Sequence, residues 1–270
     1  MNNAEKLFEE LSGRKATSCI RIEEGLSNDT YIVNGMYVIR LRKPSMDKYY
    51  QVDLEREIAL RMSDIGISEQ IISFDRLNGS KVSAYISGTE RISNPIAIEQ
   101  LKLIATSINK LHCCGVSAKI DFDILNRFDY YKQESGESLN HRHEQKIIEK
   151  IQKDLKNEKK VLCHNDLVKG NILLKNNQAI LIDWEFAGMN YPSFDIASFL
   201  SENNITNSDD IKNFLSFITG EKSVSKDYFE HIKNMMTFEN YLWYYWAMMK
   251  YKFSRDRRYL DIASEKKNAI

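Results

Sequence analysis

The hydrophobic period of this chain changes near residue 95, and that change most narrows what it can fold into. Before it, apolar residues recur with strand spacing. Cys19-Ile-Arg-Ile-Glu23 alternates, Thr30–Val33 follows, and Asn34-Gly35, a strong hairpin signal, leads into Met36–Leu41. Asp47–Asp64 is charged but periodic through Leu54, Ile58 and Met62, which predicts a helix capped by Gly66. Gln70–Phe74 and Lys81–Ile86, joined by a turn at Asn78-Gly79, predict two more strands, and Ser87-Gly88-Thr89 a hinge. From Pro95 onward the period is helical: Ile98, Leu101, Ile104, Ala105, Ile108 and Leu111 line one face of a helix over 96–114, ended by Gly115. Further helices are expected at 121–134, 140–157, 208–218 and 226–252, while Val161–Cys163, Ile172–Leu174 and Ala179–Ile182 interrupt them as short strands. The expected class is α+β, with a small antiparallel-sheet lobe over residues 1–89 and a larger, mainly helical lobe over 90–270.

Composition removes other classes. With 38 Lys plus Arg against 38 Asp plus Glu the net charge is zero, which argues against a nucleic-acid binder held by bulk electrostatics. The longest uncharged apolar stretch, Tyr241–Met249, is far below the ~20 residues that span a bilayer, so no membrane insertion is expected. No apolar stretch follows Met1-Asn-Asn-Ala-Glu-Lys to make a secretory leader. Cys19, Cys113, Cys114 and Cys163 are not spaced as zinc-binding pairs, and the simple reading is reduced thiols in a cytoplasmic protein.

The chemistry concentrates in His164-Asn-Asp166-Leu-Val-Lys-Gly-Asn171, followed twelve residues later by Asp183-Trp-Glu185. An acid and an amide lie five residues apart on a loop after a strand, and a second acid follows a hairpin. Phosphoryl transfer from a nucleotide needs such a set: one Asp to orient and deprotonate an attacking hydroxyl, an Asn and an Asp to hold Mg²⁺ against the phosphates. Any one of these residues alone is more often a turn former; the combined spacing is what carries the reading.

With Gly25-Leu-Ser-Asn28, Tyr37-Val-Ile-Arg40, Leu111-His112, Phe194-Asp-Ile-Ala197 and Leu242-Trp-Tyr-Tyr-Trp246, those motifs resemble the choline/ethanolamine kinase family, bacterial choline kinase branch, within the aminoglycoside phosphotransferase and protein-kinase-like superfamily. The resemblance covers nearly the whole chain. It implies a two-lobed protein-kinase-like fold and an ATP- and Mg²⁺-dependent kinase that phosphorylates the hydroxyl of choline. Ethanolamine kinase, aminoglycoside phosphotransferase and an inactive kinase-like binding module are the alternatives. By the resemblance Asp166 is the base, His164 and Asp195 brace its loop, and Asn171, Asp183 and Glu185 hold the metal. Asp195 could also cap the helix beginning at Ile196, and do both.

The resemblance also places ATP against Ser27, Asn28, Arg40, Tyr85 and Ile86. Arg40 stands where protein kinases have a lysine, and no glycine-rich GxGxxG loop is present. Glu55 is the expected partner of Arg40, with Glu57 the alternative, and Arg42 lies on the same strand face. Trp243 and Trp246, three residues apart on a helix, suit a quaternary ammonium, which indole faces attract. Glu202 and Tyr191 complete the expected substrate pocket. Core packing is the plain alternative for that aromatic stripe. His141 and His143 read as a solvated helix start, 156–160 as a charged linker, and Arg255-Asp-Arg-Arg258 as a surface patch.

Overall fold

The computed structural model describes residues 3–24, 26–43 and 48–270; Gly25 and Asp47, singled out above, lie outside them. The chain divides into two compact units, one formed by residues up to Ser107 with Gly170–Ala187, the other by Ile108–Lys169 with Gly188–Ile270.

In the first unit α1 (Asn3–Ser12) precedes strands β1 (Cys19–Glu24), β2 (Asn28–Val33) and β3 (Tyr37–Arg42), helix α2 (Val52–Asp64), and strands β4 (Ile71–Phe74) and β5 (Lys81–Ala84). The five strands form one antiparallel sheet in the order β1-β2-β3-β5-β4. Asn34 and Gly35 both take positive φ (55° and 64°), the backbone a two-residue hairpin demands. Register follows from that turn, setting Thr30 opposite Arg40 and Arg40 opposite Lys81. Val33, Ile39 and Val82 on the sheet bury against Ala4 and Phe8 of α1.

The hairpin of β7 (Ile172–Lys175) and β8 (Gln178–Leu181) also belongs to this unit, although it comes some sixty residues after the rest. Its ties explain the grouping. The Leu181 N–H donates to the Ile67 carbonyl (3.0 Å), the Glu90 N–H to the Leu174 carbonyl (2.8 Å), and the buried Trp184 indole N–H to Ser68 Oγ (2.9 Å). A boundary drawn in chain order at residue 89 therefore does not coincide with the grouping by contacts.

The second unit holds the last turn of α3 (Ile98–His112), then α4 (Ile124–Ser135), α5 (His141–Asp154), β6 (Val161–Cys163), β9 (Gly188–Asn190), α6 (Pro192–Glu202), α7 (Ser208–Thr219), α8 (Lys226–Ser254) and α9 (Arg258–Asn268). Strands β6 and β9 pair antiparallel. α8 is central, packing against α4, α5, α6 and α9, and its stretch from Phe238 to Ala247 is buried on every side. A helix apolar all round must be covered all round, so a polar side chain inside that stretch needs a partner or a function.

Two polar segments depart from expectation. His143 is bonded through Nδ1 to the Tyr241 hydroxyl (2.9 Å), so this end of α5 is docked on α8 as well as solvated. Within 156–160, Glu158 accepts from the Ser193 N–H (2.8 Å) and hydroxyl (2.7 Å) at the start of α6, and lies 3.4 Å from His231 Nε2. Arg255, Arg257 and Arg258 are exposed, as a surface patch requires, and Arg258 also opens α9, a helix that the sequence reading did not include. All four cysteines are free thiols. Among the described residues no helix is long and apolar enough to cross a membrane.

Burial works against charge on His231, but the bonds to Glu158 and Asp154 outweigh it and hold the imidazole above its ordinary value. A raised folded value stabilises the protein below pH about 6.5, and the contribution disappears as pH rises through the folded value. His231→Gln should accordingly lose about 1.5 kcal/mol near pH 6 and progressively less toward pH 9. Urea unfolding across that range checks it; a difference that does not change with pH would refute the charged pair.

Candidate active site

In the first unit, twelve residues separate Asn171 from Asp183 because a hairpin lies between them. Ile172 pairs with Leu181, and the Ile182 N–H donates to the Asn171 carbonyl (2.9 Å), so the amide and the acid emerge together at the open end of β7–β8. Asp183 adopts positive φ (67°), which a short polar side chain tolerates better than a branched one. Arg40 of β3 bonds both Asp183 and Glu55 of α2, and Arg42, two residues on along the strand, bonds Glu185. Of the two candidate partners for Arg40 the structure selects Glu55; Glu57 lies 3.2 Å from Arg61 instead. Asn28 Nδ2 reaches Asp183 Oδ2 at 3.5 Å.

The neighbours fix these groups further. The Tyr50 hydroxyl donates to Glu55 (2.8 Å), and the Arg42 guanidinium lies 3.6 Å from the Tyr50 ring centre. A Cβ on Gly79 would fall 2.2 Å from that hydroxyl, and Gly79 offers its carbonyl to Arg40 (3.3 Å), so a glycine at positive φ is built into the support. Burial and then the Asp183 charge push Glu185 up to about 7, with Arg42 opposing. Burial also disfavours the Arg40 charge, but Glu55 and Asp183 hold that guanidinium protonated. Of the other expected nucleotide contacts, Ser27 gives its carbonyl to the Lys43 N–H (2.9 Å), the Tyr85 N–H donates to the Met36 carbonyl (2.8 Å) while its side chain is exposed, and Ile86 is half-buried just after β5.

In the second unit, the loop that carries Asp166 is held from below. Asp195 accepts from the His164 N–H (2.9 Å), the Asn165 N–H (2.7 Å) and the His112 ring (2.9 Å). It lies in the first turn of α6 rather than at its N-cap, which Tyr191 occupies. Burial works to neutralise Asp195, but His112, His164 and the Asn165 N–H keep its carboxyl below the usual value. Cys163, beside this cluster, is pushed up by burial and by Asp195 and stays a thiol. The Leu167 N–H donates to Ser198 Oγ (3.3 Å), and Asn203 Nδ2 to the Leu167 carbonyl (2.9 Å), so α6 holds both sides of Asp166, itself half-buried.

Trp243 and Trp246 meet edge to face with ring centres 5.7 Å apart, and Trp246 meets Tyr259 of α9 the same way at 5.5 Å. Glu202 lies against an ammonium already present in the protein, Lys266 Nζ at 2.6 Å. The Tyr191 ring has the Lys160 ammonium 5.3 Å from its centre. Sequence reasoning did not single out Tyr259, Lys266, Ser201 or Glu239 around these groups. Glu239 is readable from spacing, four residues before Trp243 and seven before Trp246, whereas Lys266 sits on a short helix sixty-four residues from its partner.

The sheet of the first unit, the acid-bearing hairpin and the braced loop over a helical core define a protein-kinase-like fold. The crystal structure of choline kinase LicA from Streptococcus pneumoniae matches it with a TM-score of 0.81 at 20% identity, covering 99% of each chain. A structure of LicA in complex with AMP matches at 0.77, also 20% identical, covering 100% of this chain and 98% of that one. Protein LicA of Haemophilus influenzae is 25% identical over 205 residues, 68% of this chain and 58% of the relative's length. The choline/ethanolamine kinase family model matches residues 19–219, and the chain belongs to that family, a group of kinase-type phosphotransferases acting on an alcohol.

Asp195→Asn puts an N–H₂ or a single oxygen where a carboxylate now meets three donors. Its unfolding free energy should fall by about 3 kcal/mol, measured by urea denaturation at pH 7; a loss within 0.5 kcal/mol, about the scatter of surface substitutions, would show that the loop does not depend on this anchor.

Proposed function

We propose that this protein transfers the γ-phosphoryl group of ATP to the hydroxyl of choline, giving phosphocholine. The observation that carries the reading is the chain of ion pairs in the first unit: a strand arginine bonded at once to a helix glutamate and to the acid after the β7–β8 hairpin. That arrangement supplies a fixed guanidinium for phosphate oxygens and clustered carboxylates for a metal. The reading assigns nucleotide and metal to the first unit, through Asn28, Arg40, Asn171, Asp183 and Glu185, with Ser27, Tyr85 and Ile86 beside the nucleotide. Base and alcohol belong to the second, through Asp166, Trp243, Trp246, Tyr191 and Glu202.

The residues fit Mg²⁺. Asn171, Asp183 and Glu185 offer hard oxygen donors, and burial followed by the Asp183 charge raises Glu185, a repulsion that a divalent cation relieves. When bound, the metal neutralises charge on the phosphates. The protein's own groups do the rest. Asp166 orients the choline hydroxyl and takes its proton as the oxygen attacks. Arg40 offsets charge on the phosphate oxygens, and Glu55 keeps its guanidinium aimed. His164 and Asp195 hold the loop so that Asp166 does not reorganise during the reaction. A quaternary ammonium donates no N–H bonds, so Trp243 and Trp246 would hold it through their ring faces, each contact worth ~0.5–2 kcal/mol. Ethanolamine is the second substrate this reading favours, because a pocket carboxyl such as Glu202 can accept its N–H groups.

Asp166→Ala should lower choline-dependent ADP release by a factor of about 10²–10⁴ with the circular dichroism spectrum unchanged; retention of more than a tenth of the activity would remove Asp166 as the base. Trp246→Ala should raise the KM for choline about tenfold and leave the KM for ATP within twofold. Equal effects on both would return the aromatic stripe to core packing. Chelation of Mg²⁺ should abolish turnover and re-addition restore it; turnover that survives chelation would sink the metal assignment.

A further inference from the structure

Glu239 is a carboxyl that the phosphotransfer reading leaves without a task. It is fully buried in the apolar middle of α8, on the helix face it shares with Trp243 and Trp246. Its Oε2 accepts from Ser201 Oγ at 2.7 Å, while Oε1 has no hydrogen-bond partner among the described residues. A buried acceptor with no donor is costly in a finished core and calls for a partner from outside it.

The charges around it are few. From α6 come Glu202 and Asp195, and from α9 come Lys266 and Glu265. Asp195 is satisfied by its two N–H bonds and by His112. Glu202 is countered by the buried Lys266. Helices α4 and α5 also pack on α8 and bring Arg127, Lys132 and Glu144. These engage the Phe122 carbonyl, one another and the Tyr245 hydroxyl, and Tyr245 lies about a third of a turn around α8 from Glu239. One ammonium thus faces two carboxyls, Glu202 and Glu239. Burial, reinforced by the Glu202 charge, pushes Glu239 well above the usual carboxylate range, so without a second cation it holds its proton.

We propose that Glu239 is the carboxyl that answers the substrate's cation, protonated while the site is empty and ionised when an amino-alcohol ammonium lies against Trp243 and Trp246. The inference rests on the reading of that face as the cation site. On binding, the O–H bond of Glu239 breaks, the proton passes to the buffer, and carboxylate and ammonium are left paired. The sign follows by linkage: while the empty site holds its proton, binding must release it, so affinity rises with pH by up to about tenfold per unit and levels off once Glu239 is already ionised.

The test is calorimetric titration of choline and of ethanolamine into the full chain, with Mg²⁺ and a non-hydrolysable ATP analogue present, in buffers of different ionisation enthalpy between about pH 6 and 9. We expect up to one proton released per cation bound, with affinity climbing with pH. Glu239→Gln keeps the volume and a bond to Ser201; it should bind with no proton release and no pH slope. Choline binding to the unsubstituted protein without proton release, at a pH-independent affinity, would overturn the role of Glu239 while leaving the kinase reading intact, and this arm needs no variant. Wild-type proton release in Glu239→Gln would overturn it as well. Binding of neither amino alcohol at any pH would overturn the cation site itself and the inference with it.

Discussion

Asp195 is a fully buried carboxylate that meets three donors, two of them backbone N–H groups of consecutive residues at the end of β6. A charge in that position must be answered completely or not be there. Its answer fixes the path of the chain at His164 and Asn165, where Asn165 takes positive φ (66°), and thereby the point from which Asp166 leaves the core. Ser198 and Asn203, one and two helical turns along α6, hold Leu167 in the same way. The loop is thus bonded on both sides of Asp166, and a single helix supplies the rigidity that the proposed base requires.

The first unit solves a different electrostatic problem. Glu55, Asp183 and Glu185 bring like charges close together, and Arg40 and Arg42 of one strand offset them. Because side chains two apart on a strand share a face, both guanidiniums reach the same cluster, and the β7–β8 hairpin returns Asp183 beside Asn171. Such a set holds together in the folded protein and, under the proposed function, still offers oxygen donors to a metal and guanidinium to phosphate. In the second unit the same arithmetic is left unbalanced, with Lys266 facing both Glu202 and Glu239.

Much of this was legible in the sequence where one local rule decides. Asn34-Gly35 specified its hairpin, the apolar period from Ile98 to Leu111 its helix, and the His164–Asn171 spacing its loop. The family and fold class followed from those motifs, and the comparisons support both. What was not legible depended on distant partners or short elements. α1 places Ala4, Leu7, Phe8 and Leu11 at helical spacing, but its ten residues carry too few repeats to separate helix from loop. α9 is mostly charged on its outer side, and only Tyr259, Ala263 and Lys266 mark the buried face. Glu158 resembled part of a charged linker because its partners, Ser193 and His231, lie far along the chain. The grouping of the hairpin with the sheet unit likewise rests on bonds to Ile67, Ser68 and Glu90 that no local pattern encodes.

Phosphoryl transfer to an amino alcohol is the claim on which these roles converge, and its product distinguishes it directly. Phosphorus NMR of the unsubstituted protein with ATP, Mg²⁺ and either choline or ethanolamine would follow the γ-phosphate itself. The account predicts a phosphate monoester of choline growing as ATP is lost, with ethanolamine converted more slowly. Release of inorganic phosphate alone, or no monoester with either alcohol, would contradict it.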